Sequence, residues 1–219
     1  MTFSLAGRCA RTGMLGAVVT TSSIAVGARC AFAAAGVGAA LTQHTTDPRL
    51  GPLMLDQLRR GYSVEQAIGA AVGTTPRSDR RQLAVIDAQG RTAACSGASV
   101  KPERNEAHGR DCVAIANIVR APNVPAAMVQ AFEADPAAPL AARLIAALEA
   151  GDAAGGEFKP LLSAGLVIAH REVFSYVDLR VDSDADPIRT LRRLWDEYAP
   201  VADMYVERAV HPDSVVDPA

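Results

Sequence analysis

Thr2-Phe3-Ser4-Leu5-Ala6-Gly7 alternates in period two and reads as a β-strand. Arg11-Thr12-Gly13 supplies a turn, and Met14 to Thr21 forms a second extended run, so the chain opens on a hairpin. What stands at the head of that hairpin decides how the rest is read. A small residue after the initiator Met is what methionine aminopeptidase accepts, so the mature chain is expected to begin at Thr2. A mature N-terminal Thr carries nucleophile and base on one residue. Its hydroxyl attacks, and its free α-amine, with a pKa of about 8, takes the proton near neutral pH. Thr is also a common second residue, so position 2 decides nothing by itself.

Working outward, Ala33 to Leu41 is small and apolar, with Gly36 and Gly38 two apart, a spacing that lets a strand or loop approach another backbone or a ligand. Asp47-Pro48 opens a helix to about Arg60, stopped by Gly61. Ser63-Val64-Glu65-Gln66 is a capping box that starts a second helix to about Val72. Gln82 to Asp87 and Arg91 to Cys95 read as strands joined by the Ala88-Gln89-Gly90 turn. Ser96 to Asp111, polar and rich in Gly and Pro, reads as a long surface loop. Val113 to Ile118 is a short strand or a turn. Helices are expected at about Pro125 to Glu133 and Pro139 to Ala150, the latter ended by Gly151. A hairpin follows from Ser163 to Ala169 and Val173 to Arg180. Asp186-Pro187 caps a last amphipathic helix to about Tyr198 or beyond, with a frayed tail after His211. Strand pairs separated by helix pairs suggest antiparallel sheets with helices layered on them, in one domain. The order is compatible with two sheets between two helical layers, although periodicity alone does not choose that arrangement.

Composition bounds the function. At 219 residues the chain has room for one sizeable core. A net charge of -2 argues against nucleic-acid or membrane-surface partners, which call for a basic excess. Cys9, Cys30, Cys95 and Cys112 form no CxxC pair, which suits a reducing, cytoplasmic compartment. His44, His108, His170 and His211 are not paired at helical spacing, so no zinc site is expected. A rival reading is a secreted protein cleaved near Ala35: Arg8 and Arg11 precede a small, apolar run from Gly13 to Ala40. Thr20, Thr21, Ser22, Ser23 and Arg29 interrupt that run, and no segment reaches the length of a membrane span.

Blocks along the chain resemble one bacterial family. Thr2-Phe3-Ser4, Arg11-Thr12-Gly13 and Leu15-Gly16-Ala17-Val18 open the match. It continues through Ala25-Val26-Gly27, Ala35-Gly36-Val37-Gly38-Ala39, Thr42-Gln43, Arg81-Gln82 and Asp87-Ala88-Gln89-Gly90-Arg91. It is clearest at Arg143-Leu144 and Ala146 to Gly151, and Val177-Asp178-Leu179-Arg180-Val181-Asp182 completes it. The chain resembles the DUF1028 proteins, an N-terminal-nucleophile (Ntn) hydrolase-like family. The resemblance implies an α+β fold, a four-layer αββα sandwich of two mainly antiparallel sheets. It also implies no cofactor, a nucleophile at Thr2 once Met1 is removed, and hydrolysis of an amide or related C–N bond. The chain departs from the family where it reads Gly155-Gly156-Glu157-Phe158-Lys159-Pro160 and then Leu161-Leu162-Ser163-Ala164, in place of a more polar run commonly reading Gly-Gly-Asp-Lys-Arg-Gly and then Gln-Ser-Ala. The substrate is therefore open to differ from that of typical relatives.

The candidate catalytic residues are Thr2, Ser22, Gly36, Gly38 and Asn117. A tetrahedral intermediate needs preorganised donors for its oxyanion. Gly36, Gly38 and the intervening Val37 are candidates through their backbones, and Asn117 through its side chain. The glycines can equally serve close strand packing, and Asn117 a turn. Ser22 or Ser23 can hydrogen-bond the α-amine, while Thr42 and Gln43 are small polar residues at a strand end. Those hydroxyls can equally be satisfied within a sheet. Arg81 is the favoured cation for a substrate carboxylate, against a local pair with Asp or Glu. Glu157, after two glycines, can orient the Thr2 ammonium or hold a substrate amine. His108 is the most available imidazole, and Ntn chemistry needs none. The expected partner is a small molecule, carboxylate-bearing if Arg81 serves it, and Ala-rich helices suggest a homo-oligomer, a dimer or higher. Two alternatives stay open: hydrolytic deamination of an enamine or imine at the same Thr2, and a non-catalytic small-molecule binding module.

Overall fold

A computed structural model describes residues 1–214. The opening hairpin forms as its alternation predicts: β1 (Thr2–Arg8) pairs antiparallel with β2 (Leu15–Thr21), and Gly13 turns the chain at φ +74°. A single helical turn, α1 (Gly27–Cys30), leads into β3 (Ala31–Ala34) and β4 (Gly38–His44). The small apolar run is thus a tight hairpin, reversed at Gly36, whose φ of +67° favours glycine. Helices α2 (Leu50–Arg59) and α3 (Val64–Thr74) follow, and the Ser63–Gln66 capping box is formed in both directions. Next come β5 (Arg81–Asp87), β6 (Thr92–Ser96), β7 (Arg104–Gly109) and β8 (Cys112–Asn117). The segment read as a surface loop from Ser96 to Asp111 therefore contains a strand. It is an edge strand with one solvated face, so its sequence, Arg104-Asn105-Glu106-Ala107-His108-Gly109, is polar enough to pass for a loop.

Helices α4 (Val124–Ala134) and α5 (Leu140–Ala153) come next, and α5 runs through Gly151 instead of ending there. That glycine serves packing: a Cβ on it would lie 2.9 Å from Met128 and 3.1 Å from the Phe3 ring. The chain closes with β9 (Ser163–Ala169), β10 (Val177–Val181), α6 (Pro187–Tyr198) and α7 (Ala202–Val210). The second strand of that last hairpin begins at Val177, not at Val173, which is fully exposed in the connection. Asp186 makes no side-chain cap, and Pro187 at the first turn starts α6 without one. The expected frayed tail lies for the most part outside the described residues.

The strands form two antiparallel sheets, one ordered β10-β9-β2-β1-β8-β7 and the other β3-β4-β5-β6. Helices α2 and α3 cover the smaller sheet, α4, α5 and α6 cover the larger, and the sheets pack face to face. The architecture is the four-layer αββα sandwich, with apolar residues in all three interlayer spaces. Strand parity decides which residues enter the central space. In β1 Phe3 and Leu5 pack on the α4–α5 side, so Thr2, Ser4 and Ala6 face the other sheet. In β2 the inward set is Leu15, Ala17, Val19 and Thr21, and in β8 it is Val113, Ile115 and Asn117. From the smaller sheet, β4 sends in Ala39, Leu41 and Gln43, and β5 sends in Gln82, Ala84 and Ile86. One end of the inter-sheet layer is therefore polar.

Candidate active site

Thr2 begins the central strand of the larger sheet, with Thr21 opposite it on β2 and Asn117 opposite it on β8. Cross-strand neighbours on one face hold their Cβ atoms roughly 5 Å apart, so the three polar side chains stand in a row. Thr2 is 7% exposed, and its Oγ1 lies 3.4 Å from Thr21 Oγ1. Both hydroxyls donate to the carbonyl oxygen of Met1, Thr21 at 2.5 Å. Thr21 thus already holds a carbonyl oxygen placed beside the Thr2 hydroxyl.

Backbone polarity separates the two functional groups of Thr2. The Arg8 N–H donates to Asp111 O at 2.8 Å, toward β8, and the Cys9 N–H donates to Met14 O at 2.9 Å, toward β2. N–H groups alternate sides along an antiparallel strand, and the register pairs Thr2 with Asn117 as it pairs Gly7 with Cys112. Even-numbered residues of β1 therefore aim their nitrogens at β8. The nitrogen of Thr2 faces Asn117, and its hydroxyl lies beside Thr21.

Beneath this row lies a chain of amides. Gln82 Nε2 donates to the Ala116 carbonyl at 2.9 Å and to Ser96 Oγ at 3.0 Å. A backbone carbonyl only accepts, so this end of Gln82 is its NH2 and the other its oxygen. That oxygen accepts from Gln43 Nε2 at 2.7 Å and Asn117 Nδ2 at 2.9 Å. Gln43 Oε1 is left to accept from Ser4 Oγ at 2.8 Å, and Gln43 Nε2 makes long contacts of 3.4 Å to Thr2 O and Ile115 O. Every orientation in the chain follows from one carbonyl.

Glu157 closes the site from the α5–β9 connection. Gly155 and Gly156, at φ +137° and +54°, turn the chain so that the 4%-exposed carboxylate reaches inward. Its Oε2 accepts from the Ser22 N–H at 2.9 Å. Burial raises its pKa, opposed by the Ser22 hydrogen bond, the N-terminal ammonium and the Thr21 hydroxyl. Burial lowers the pKa of the Met1 ammonium, Glu157 pulls it back up, and Lys101 and Lys159 lower it further. Among the described residues no group of three or more His, Cys, Asp or Glu is placed to hold a metal. No helix there is long and apolar enough to cross a membrane.

The structure gathers Thr2, Ser22, Gln43, Asn117 and Glu157 from the expected residues. Ser22 takes part through its N–H, its Oγ lying 4.0 Å from the Met1 sulfur. Ser23 stands at the margin, 3.5 Å from Thr21 Oγ1. Gly36 and Gly38 lie at the opposite end of β4 from Gln43, and Gly38 packs so tightly that a Cβ would meet Ile86 O at 2.4 Å. They are structural and offer no oxyanion donor at Thr2. Thr42 and Arg81 sit on the wrong face of their strands. Thr42 Oγ1 donates to Asp47 O, and Arg81 binds Thr75 Oγ1 and the carbonyls of Thr45 and Pro76 beside Asp47. Asn117 is in place, but its donor end is committed to Gln82. Thr21, Gln82 and Ser4 are the site residues that motif reasoning missed, and strand parity is the signal that finds them. A groove of about 630 Å3 lies elsewhere, along the free edge of β3, whereas one of about 340 Å3 opens at Glu157, Lys159 and Arg120.

The DUF1028 sequence family, described as a family of unknown function, matches residues 2–191. The chain belongs to that family. A DUF1028 protein from Silicibacter pomeroyi, known from its crystal structure, superposes on this DUF1028 chain with a TM-score of 0.84 at 28% identity. The similarity covers 90% of this chain and 86% of that one. Anbu (ancestral beta-subunit) from Yersinia bercovieri aligns over 94% of this chain and 97% of its own at 12% identity, with a TM-score of 0.39, too low a likeness to argue from. No protein in the search of curated proteins matches the chain.

Proposed function

We propose that this DUF1028 protein is an N-terminal-nucleophile hydrolase that cleaves an amide or related C–N bond of a small molecule at Thr2. The observation that carries the reading is the placement of Thr2. It heads the central strand, with its hydroxyl toward Thr21 and its nitrogen toward Asn117. With Met1 attached, that nitrogen is an amide and cannot act as a base, and Thr2 is almost covered. Removal of Met1 creates the α-amine and uncovers the hydroxyl together.

In the forward step Thr2 Oγ attacks the substrate carbonyl carbon while the α-amine takes the hydroxyl proton. The carbonyl π electrons move onto oxygen, where the Thr21 hydroxyl, which now holds the Met1 carbonyl, is the donor in reach. The C–N bond breaks, the proton passes to the departing nitrogen, and a Thr2 ester remains. Water, deprotonated by the same amine, then attacks the ester, releasing the acid and restoring the Thr2 hydroxyl. Cationic complement for a substrate carboxylate comes from Lys101 and Lys159, whose charges reach the N-terminal amine, and not from the buried Arg81.

The test begins with intact mass, which is expected to show loss of Met1 in active protein. A screen of small amides, lactams and amino-dienoic acids with ammonia detection is expected to find turnover that Thr2→Ala abolishes. Retained Met1 in active protein would sink the mechanism. An electrophile selective for N-terminal nucleophiles separates enzyme from binding module, since a module should not react covalently at Thr2.

A further inference from the structure

Two buried acceptors near Thr2 have no hydrogen-bond partner among the described residues: Asn117 Oδ1 and Glu157 Oε1. Asn117 is 0% exposed, so water does not solvate that oxygen from outside. A buried acceptor left unmatched is destabilising, and such an atom calls for an explanation. Its orientation is not free. Rotating the Asn117 amide would set its oxygen against Gln82 Oε1, which the Ala116 carbonyl fixes as an acceptor. The side chain that the sequence offers as a donor for an oxyanion therefore has only its acceptor left free, on the residue that stands cross-strand from Thr2.

We infer that Gln82 and Asn117 are positioning residues that present Asn117 Oδ1 to the α-ammonium of processed Thr2, the group whose extra N–H donors match it. The inference rests on the reading that Thr2 is the mature N-terminus. The amide N–H of the unprocessed chain already serves the β1–β8 ladder by parity, whereas an ammonium carries two further donors that the ladder does not use. The arrangement divides the labour between strands. β8 holds the base through Asn117, and β2 serves the hydroxyl and the substrate oxygen through Thr21. The charged and titratable groups around the amine are Glu157 and Lys159 on the α5–β9 connection, Lys101 before β7, and His44 at the end of β4. None belongs to β8, so its contribution to the amine is a dipole that pH does not change.

The decisive measurement is the pKa of the Thr2 α-amine, obtained without any substrate. Competitive acylation by trace acetic anhydride across pH, read by mass spectrometry of the N-terminal peptide, gives it on chains whose mass shows loss of Met1. An acceptor stabilises the ammonium, so its removal lowers the pKa. Asn117→Leu is expected to lower it by about one pH unit. Asn117→Asp keeps an acceptor and adds a charge; made together with Gln82→Leu, which removes the oxygen its second carboxylate oxygen would meet, it is expected to match or exceed the parent value. It also carries the test if the Leu variant does not fold. An unmoved pKa in the Leu variant, or a lowered one in the Asp variant, overturns the inference while the processed Thr2 stands. Protein active with Met1 retained overturns the functional reading and this inference together.

Discussion

The layer between the two sheets has two ends built from the same strands with the same parity. At one end Leu15, Ala17, Ala39 and Ile86 pack into apolar contact, and Gly38 lets β4 close against β5. At the other, Thr2, Ser4, Thr21, Gln43, Gln82 and Asn117 occupy equivalent inward positions. The difference is chemical and not architectural. The apolar end supplies the burial that holds the sheets face to face. The polar end stays ordered because nearly every group has a partner, and the two oxygens that lack one belong to Asn117, cross-strand from Thr2, and to Glu157, whose charge acts on the N-terminal amine. A division of this kind predicts that substitutions at one end change stability and at the other change turnover.

The largest effect is expected at Thr2 itself. Thr2→Ala removes the attacking oxygen and should lower kcat by ~1,000-fold or more, with the thermal midpoint little changed. Residual activity within tenfold of the parent would place the nucleophile elsewhere. Next is Leu41→Ala in the apolar stretch of β4, where a fully buried side chain faces the opposite sheet. It should cost about 2–5 kcal/mol in denaturant titrations and leave kcat per folded molecule unchanged. A matching loss of kcat would erase the distinction between the ends. Thr21→Val keeps the shape of its side chain and removes the hydroxyl. It should reduce kcat by ~100-fold, the usual scale for one oxyanion donor, with a smaller change in stability than Leu41→Ala. A purely structural Thr21 would give the opposite ranking.

How much of this is legible in the sequence depends on whether the two faces of a strand differ in their side-chain chemistry. The opening hairpin is readable because Thr2, Ser4 and Ala6 alternate with Phe3 and Leu5, and Thr2 follows from it. Strand β5 is buried on both faces, so Arg81 and Gln82 cannot be assigned to faces from their own neighbours. Arg81 attracts attention as a charge in an apolar run, yet it faces the helical layer, and Gln82 carries the site. Ser22 and Thr21 pose the same problem at a strand end, where one residue of register changes the face. Strand β7 escapes notice for the reverse reason, since its inward residues are small or polar and give no apolar stripe. Glu157 is findable through the two glycines before it, because a left-handed turn needs them.

The smallest predicted effect tests the comparison by face instead of by end. Asp47, Arg49 and Arg81 cluster on the helical side of the smaller sheet, with Arg81 one residue from Gln82. The Asp47 carboxyl is held at about 2, below its ordinary 3.8, chiefly by its hydrogen bonds with Arg49. Burial opposes that shift, and the charges of Arg49 and Arg81 add to it. A depressed carboxyl pKa contributes stability that is complete above the unfolded value and lost as pH falls through the folded one. Arg49→Ala should therefore lower stability at pH 7 only slightly, since the Arg49 side chain is mostly exposed and screened. The deficit should shrink between about pH 4 and pH 2 in urea titrations, as both proteins protonate Asp47. Turnover at pH 7 should match the parent, because nothing on this face reaches Thr2. A deficit equal at every pH would remove Asp47 from the account. Lost turnover would mean that the two faces of β5 are coupled, and that the site extends through the strand.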